Sequence, residues 1–507
     1  MNLNRQDYRN KVLGCWLGKN IGGTVGAPYE WMRQVNDISF YTQTNLNGRA
    51  MPNDDLDIQL LWLCAMEEGG LDVTSQRLAD YWCMYVTPHW AEYGNAKINF
   101  RRGLPPPLAG NVTNPYKHSC GAYIRSEIWA CIAPGLPQVA ARSAVEDAIL
   151  DHADGEGTYA EVFMAALESA AFLVSDLRQL IDIGLSYVPA DCGVTKAVQT
   201  TLKCRDEGKT WLETRDEILR LHRGRLAGWA QVSERDRKLG FDTGQLGYDV
   251  PSNIALTLLA LLWGQEDFAQ VMCLAVNCGE DTDCTAATAG SIWGIIHGAG
   301  AIPQKWIDPI GRGIATVVLN LGELGYFGGQ LPQTVDNLTD RTERLARQQL
   351  MRKSAEHLWS EKPTDLSDLN VESLRSRNWL EQMAPLLAGP HFAFDFFTVF
   401  VNYGQDGAFA RNAQPKTLRV RIFNHYKVQT ILHCRWYLPE GWRISPSSQG
   451  SVMSNPWGSL TMEYQLTCDN IHEPLTRAVL EITTDSRPTV MLVPITLANG
   501  NVVAQAE

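Results

Sequence analysis

The apolar residues of this chain change their spacing once, and that change limits the fold more than any other feature. From residue 5 to about 330 they recur at three and four positions, the repeat of helices with one buried face. From His391 onward they alternate: Leu418, Val420 and Ile422 are separated by Arg419 and Arg421, the repeat of a half-buried strand. The spacing predicts helices over Leu56–Glu68, Ser75–Tyr85, Ser119–Ile132, Pro137–Asp151, Tyr159–Leu173, Trp211–His222, Ser252–Leu262, Phe268–Val276 and Thr285–His297. It predicts strands over Val428–Tyr437, Ser459–Leu466, Ala478–Thr483 and Thr489–Leu497. The expected organisation is therefore an all-α domain over 1–335, a polar connector over 336–390 with a helix at Glu343–Trp359, and a small all-β, sandwich-like domain over 391–507.

Two features punctuate the helical part. Gly14, Gly18, Gly22 and Gly26 recur every fourth residue in a helix that begins near Asp7. The first of them share a face open to close packing, and Gly22-Gly23 is expected to end or distort the helix. The stretch Thr87–Lys117, with Pro105-Pro106-Pro107, reads as a long functional loop.

With 507 residues, 45% of them hydrophobic and sixteen of them tryptophan, the chain has material for more than one core and is not mainly disordered. Its formal charge of -12 disfavours nucleic acid as a partner. The polar N-terminus lacks the apolar centre of a signal peptide. The run Ile254–Trp263 is too short to span a bilayer, which needs about 20 residues. Twelve scattered cysteines without a CxxC pair read as free thiols in a reducing cytoplasm.

The chemistry concentrates in two acidic clusters, Asn53-Asp54-Asp55-Leu56-Asp57 and Gly279-Glu280-Asp281-Thr282-Asp283. Adjacent carboxylates before a helix can serve as caps to its free amides. Three acids in so few residues exceed what capping needs, and a hard divalent cation relieves their repulsion. The histidines lack the short spacing of a zinc motif. Two clusters about 225 residues apart read as halves of one binuclear site brought together by the fold.

Four stretches resemble the ADP-ribosylglycohydrolase family: Gly14-Cys15-Trp16-Leu17-Gly18 through Gly26-Ala27-Pro28-Tyr29-Glu30; Asn53-Asp54-Asp55; Asp151-His152-Ala153; and Gly279-Glu280-Asp281-Thr282-Asp283-Cys284-Thr285-Ala286-Ala287 with Gly290, Gly294, Ile302-Pro303 and Trp306. The resemblance covers residues 5 to 330. It implies an all-helical fold with two divalent cations, Mg2+ or alternatively Mn2+, held by Asn53, Asp54, Asp55, Asp281, Asp283 and Cys284. Asn53 stands where the family has threonine, and Cys284 where it has a hydroxyl residue. An amide oxygen suits a hard cation, whereas a thiol is a softer donor.

The resemblance further implies hydrolysis of an N- or O-glycosidic bond to ribose, with ADP-ribose on a modified protein side chain or a small molecule as substrate. Glu30, Asp55 and Asp281 are the expected catalytic acids. Glu92, Asn111, His118, Gly121, Arg125, His152 and Tyr248 are the expected substrate contacts. Arg125 is expected to pair with a carboxylate or, with the Gly22-Gly23 turn, to meet a diphosphate. His152 is expected to make an orienting contact beside the site or to be a satisfied core histidine. Two other readings stand beside this one. One is hydrolysis of another ribosyl or nucleotide-sugar conjugate; the other is a relative that binds a ligand without turning it over. The aromatic residues Phe400, Tyr403, Trp436, Trp442 and Trp457 read as core or interface, not as a binding platform.

Overall fold

A computed structural model describes residues 2–225, 230–319, 329–353, 359–485 and 487–502. Its helices in chain order are α1 (Arg5–Gly26), α2 (Asp54–Gly69), α3 (Ser75–Tyr85), α4 (Ala91–Arg101), α5 (Leu108–Asn111), α6 (Glu127–Ile132), α7 (Pro137–Ala148), α8 (Glu156–Ala171), α9 (Leu177–Leu185), α10 (Gly193–Asp206), α11 (Trp211–His222), α12 (Glu234–Lys238), α13 (Val250–Gly264), α14 (Phe268–Asn277), α15 (Thr282–His297) and α16 (Gln304–Ile307). A further long helix spans Val335–Arg352. Among the described residues, no helix is long and apolar enough to cross a membrane.

The chain divides into two units, one of residues 1–95 and 114–380, the other of 96–113 and 381–507. In the first, α1 and α15 form the central contact. A side chain added at Gly14 would meet the backbone of Gly294; at Gly18, that of Gly290; at Gly22, that of Ala286; and at Gly26, that of Thr282. Each step of four residues along α1 matches a step of four back along α15, so the two backbones touch along a continuous antiparallel seam. Only residues without a side chain permit that approach. The seam also explains why α1 runs unbroken through Gly22-Gly23, against expectation: packing on α15 offsets the roughly 1 kcal/mol that each helical glycine costs. The Thr282 hydroxyl donates to the Gly26 carbonyl at 2.8 Å and locks the end of one helix to the start of the other.

Elsewhere the helical pattern holds with shifted ends. The expected helix over Ser119–Ile132 is shortened to α6, preceded by turns and a single 3-10 turn at Tyr123–Arg125. Helices α9 and α10 lie outside the expected set. Val194, Thr195, Val198, Thr200 and Thr201 give α10 weak intrinsic propensity, and burial of Val194, Ala197 and Val198 overrides it. The helix expected at Glu343–Trp359 instead occupies Val335–Arg352, started by a Thr334 cap; positions 354–358 of the expected span lie outside the described residues.

The second unit contains two five-stranded sheets. One orders Trp442–Ser445, Ser459–Cys468, Lys416–Asn424, Phe397–Asn402 and His391–Ala393, all antiparallel. The other orders Gln449–Ser454, Thr430–Tyr437, Leu475–Thr484, Arg487–Asn499 and Phe409–Ala410, with the last pair parallel. Leu418, Val420 and Ile422 of the first sheet share one core with Leu432, Leu480 and Val493 of the second, so the two sheets form a sandwich. Tyr403 and Trp436 are buried there as expected, whereas Trp457 is largely exposed.

The stretch expected to be a long loop holds α4 and α5 instead. Leu104, Leu108 and Val112 from this stretch join the core of the sandwich. Its apolar residues Leu104, Leu108 and Val112 therefore serve β-domain packing, a role that local sequence does not signal.

Candidate metal and active site

Both acidic clusters sit at helix starts, but they use those starts differently. Asn53 is the true cap of α2: its side-chain oxygen accepts from the Asp55 amide at 2.8 Å. Gly23 leaves room for the Asn53 side chain, since a side chain there would collide with it. Asp281 holds the equivalent position before α15 and Asp249 the one before α13, yet neither makes a capping hydrogen bond. Capping does not account for those two carboxylates.

The fold brings the two clusters together. Ligand atoms of Asp55, Asp283 and Cys284 lie within 4.8 Å of one another, as do those of Glu30, Asp281 and Asp283, and those of Cys120, Asp249 and Asp281. Asp54 lies beside them with its Oδ2 accepting from the Tyr93 hydroxyl at 3.0 Å. Asp249 and Cys120 are absent from the expected set. For Asp249 the signal was present, an acid before a buried helix with Pro251 in its first turn. For Cys120 no local sequence signal exists.

The electrostatics show what this group of acids lacks. Burial pushes the Glu30 carboxyl up to about 9, with Asp283 and Asp54 adding to the effect. Burial raises Asp54 to about 6, and Asp249 to about 6. Asp55 and Asp281 are pushed well above the carboxylate range, again by burial first. Of the ion pairs among the described residues, one reaches this group: Lys19 Nζ lies 3.8 Å from Asp55 and 2.7 Å from Glu127. One oxygen on each of Asp55, Asp249, Asp281 and Asp283 is buried without a hydrogen-bond partner. Buried, unpartnered carboxylate oxygens converging on the same space fit divalent cations, which would be held by Asp55, Asp249, Asp281 and Asp283 with Asp54 and Glu30 adjacent.

Two acids of the sequence clusters have partners on the protein, Glu280 on both oxygens and Asp57 on Oδ2, while Asp57 Oδ1 is buried without one. Glu280 forms a two-pronged pair with buried Arg33 at 2.5 and 2.8 Å, and Arg33 also donates to the carbonyls of Gly224 and Phe241. Asp57 accepts from the amides of Val317 and Val318 at 2.6 and 2.7 Å. Thr285 does not replace the missing hydroxyl ligand, because its own hydroxyl turns back to the Thr282 carbonyl.

The expected substrate contacts divide sharply. Arg125 is fully buried and committed: its guanidinium binds Asp147 at 2.8 Å, Asp151 at 2.7 and 3.1 Å and the Gly121 carbonyl at 2.8 Å. It has no arm left for a diphosphate, and Gly22-Gly23 lies inside α1 against α15, so neither matches the diphosphate role expected of it. His152 bridges Asp151 and the Ser119 hydroxyl at 2.8 and 3.2 Å, a buried supporting contact. Glu92 lies over Gly121, which has no side chain to obstruct it, and burial raises its carboxyl to about 7. His118 accepts from the Glu156 amide at 3.0 Å and lies against Tyr248 with ring centres 5.3 Å apart. Burial lowers His118 to about 4, which keeps it neutral at neutral pH. Asn111 is exposed and belongs to the second unit.

Curated relatives match over short stretches. The chain is 39% identical over 49 residues to the ADP-ribosylarginine hydrolase Tri1 of Serratia proteamaculans (strain 568), and 33% identical over 49 residues to that of Pseudomonas putida (strain GB-1). Each match covers 10% of this chain and 13% of the relative's length. Among solved structures, a FixG-related protein from Vibrio parahaemolyticus aligns with 21% of this chain and 99% of its own, at 11% identity and a TM-score of 0.18. The model of the ADP-ribosylglycohydrolase family matches residues 4–350, the part of the chain that contains the seam and every acid of the cluster. With a family match over that span, the chain belongs to the ADP-ribosylglycohydrolase family.

Proposed function

We propose that this protein hydrolyses a glycosidic bond to ribose, releasing ADP-ribose from a modified protein side chain or small molecule, with two divalent cations, Mg2+ or Mn2+, as cofactors. The observation that carries this reading is the convergence of Asp55, Asp249, Asp281 and Asp283, each with a buried oxygen lacking a partner, within the region matched by the family. The short similarity to ADP-ribosylarginine hydrolases supports arginine as the first leaving group to test. The twelve free cysteines suit a reducing compartment such as the cytoplasm.

When bound, the cations would polarise ribose hydroxyls and lower the pKa of a water. The residues supply the rest. Asp55 at the start of α2 and Asp281 and Asp283 at the start of α15 fix the geometry. Tyr93 orients Asp54. Glu30 is only part-buried, and its ligand atom lies within 4.8 Å of those of Asp281 and Asp283. Cations held by those neighbours would favour its carboxylate form, in which it would accept a proton from the attacking water. The surrounding carboxylates offset the positive charge of an oxocarbenium-like transition state. Arg125 and His152 act from behind, holding Asp151 and the Gly121 carbonyl in place.

The test is a panel of ADP-ribosylated arginine, ADP-ribosylated serine, ADP-ribose esters and related ribosyl conjugates, with Mg2+ or Mn2+ added and products read by mass. Turnover of at least one α-linked substrate is expected, and its loss in Asp55→Asn and Asp283→Asn. Unchanged turnover in both variants would place the chemistry elsewhere.

A further inference from the structure

Each side of the carboxylate group carries a thiol. Cys284 sits with Asp55 and Asp283, and Cys120 with Asp249 and Asp281, ligand atoms within 4.8 Å in both triads. All six residues are buried. The Cys284 thiol points at the carboxylates, since its sulfur lies 3.4 Å from Asp55 Oδ1. By contrast Cys192 uses its sulfur to cap α10, which shows what a cysteine with a purely structural task does here. The unpartnered oxygens of Asp55 and Asp283 in one triad, and of Asp249 and Asp281 in the other, give each thiol two open carboxylate neighbours.

An oxygen-only set favours Mg2+, whereas a sulfur among two carboxylates favours a borderline first-row ion. We propose that the Cys120 and Cys284 sulfurs are direct ligands, one in each half of the centre, and that this donor set selects an ion such as Zn2+ or Co2+ over Mg2+. The inference rests on the two-cation reading above and replaces the Mg2+ or Mn2+ of that reading with a softer ion. Binding breaks each S–H bond and forms a sulfur–metal bond, and the two protons leave to solvent.

The test uses the full chain stripped of metal and then titrated separately with Co2+, Zn2+ and Mg2+. Cobalt-loaded protein is expected to show near-ultraviolet thiolate-to-cobalt absorption, reduced by about half in Cys120→Ser or Cys284→Ser and absent in the double variant. Zinc-loaded wild type is expected to show sulfur neighbours at about 2.3 Å in X-ray absorption fine structure, a readout that needs no variant to fold. The double variant should lose Zn2+ affinity by at least about tenfold while its Mg2+ affinity holds. Cobalt and zinc bound with no sulfur signal would overturn the sulfur ligands and leave the two-cation reading standing. Failure to bind any of the three ions would overturn both.

Discussion

Asp147 and Asp151 are as deeply buried as Asp55 and Asp281, and in the same helical unit, yet the two sets are held in opposite ways. Around Asp147 and Asp151 the chain supplies its own cation, Arg125, and completes the shell with the indole donors of Trp62 and Trp129 on Asp147. Burial raises Asp147 despite Arg125, whereas the Arg125 guanidinium holds Asp151 well below the usual carboxylate range against the same burial. Around Asp55 and Asp281 the chain supplies one lysine, which Asp55 shares with Glu127, and leaves oxygens open, and the carboxyls are pushed upward. A fold able to satisfy one buried acid pair so fully has left the other incomplete. That contrast marks the second set as a place for something the chain does not encode.

The contrast breaks most violently at its paired end. Arg125→Leu should cost about 3–5 kcal/mol, because it strands Asp147 and Asp151 in the interior. Denaturant unfolding would measure this, and a loss below 1 kcal/mol would mean that the pair is not what holds the region.

At the open end the sign reverses on adding cations. A hundredfold excess of divalent ion over its Kd should stabilise the protein by about 2.7 kcal/mol. The effect should grow with pH. Asp54 and Glu30, raised to about 6 and about 9, bind protons more firmly folded than unfolded. Their contribution to the metal-free fold is full below the ordinary carboxylate range and fades as pH rises through 6 toward 9. Asp151 behaves in the opposite sense: its contribution is present above the ordinary range and lost only in strong acid. Thermal scans with and without cation at pH 5.5 and 8 would separate the two, and a cation effect independent of pH would contradict the raised acids.

Smaller changes sharpen the same comparison. Asp281→Asn should leave the metal-free protein unchanged or more stable by about 1 kcal/mol, because it removes the cost of protonating a buried acid on folding, while abolishing the response to cation. A destabilised metal-free variant would assign Asp281 to the structure alone. Asn53→Ala should cost about 1 kcal/mol through loss of the α2 cap, whether cation is present or not. A cost seen only with cation bound would make Asn53 a ligand.

Much of this was legible in the sequence, for physical reasons that differ by region. The change of repeat located the β-domain because strands buried on one face must alternate, as Leu418, Val420 and Ile422 do. The acidic clusters were visible because two helix starts carried more charge than capping uses. What stayed hidden depends on distant partners. Nothing near Glu280 announces Arg33, nothing near Arg125 announces both Asp147 and Asp151, and Cys120 joins the site only through Asp249 and Asp281. The passage of Leu104, Leu108 and Val112 into the β-sandwich is likewise a tertiary fact written on a stretch that looks like a loop.

The glycine seam also sets a timetable for synthesis. Gly26 and Thr282 meet across 256 residues of chain, and the acids on either side of the site depend on that meeting. Closing so long a loop is slow, and its ordering entropy is lost before the contact can reward it. At about 5–20 residues per second, α1 waits tens of seconds for α15 to be made. Until then its glycine face has no partner, and the helix that ends at the candidate site is the one most in need of protection while the chain is still growing.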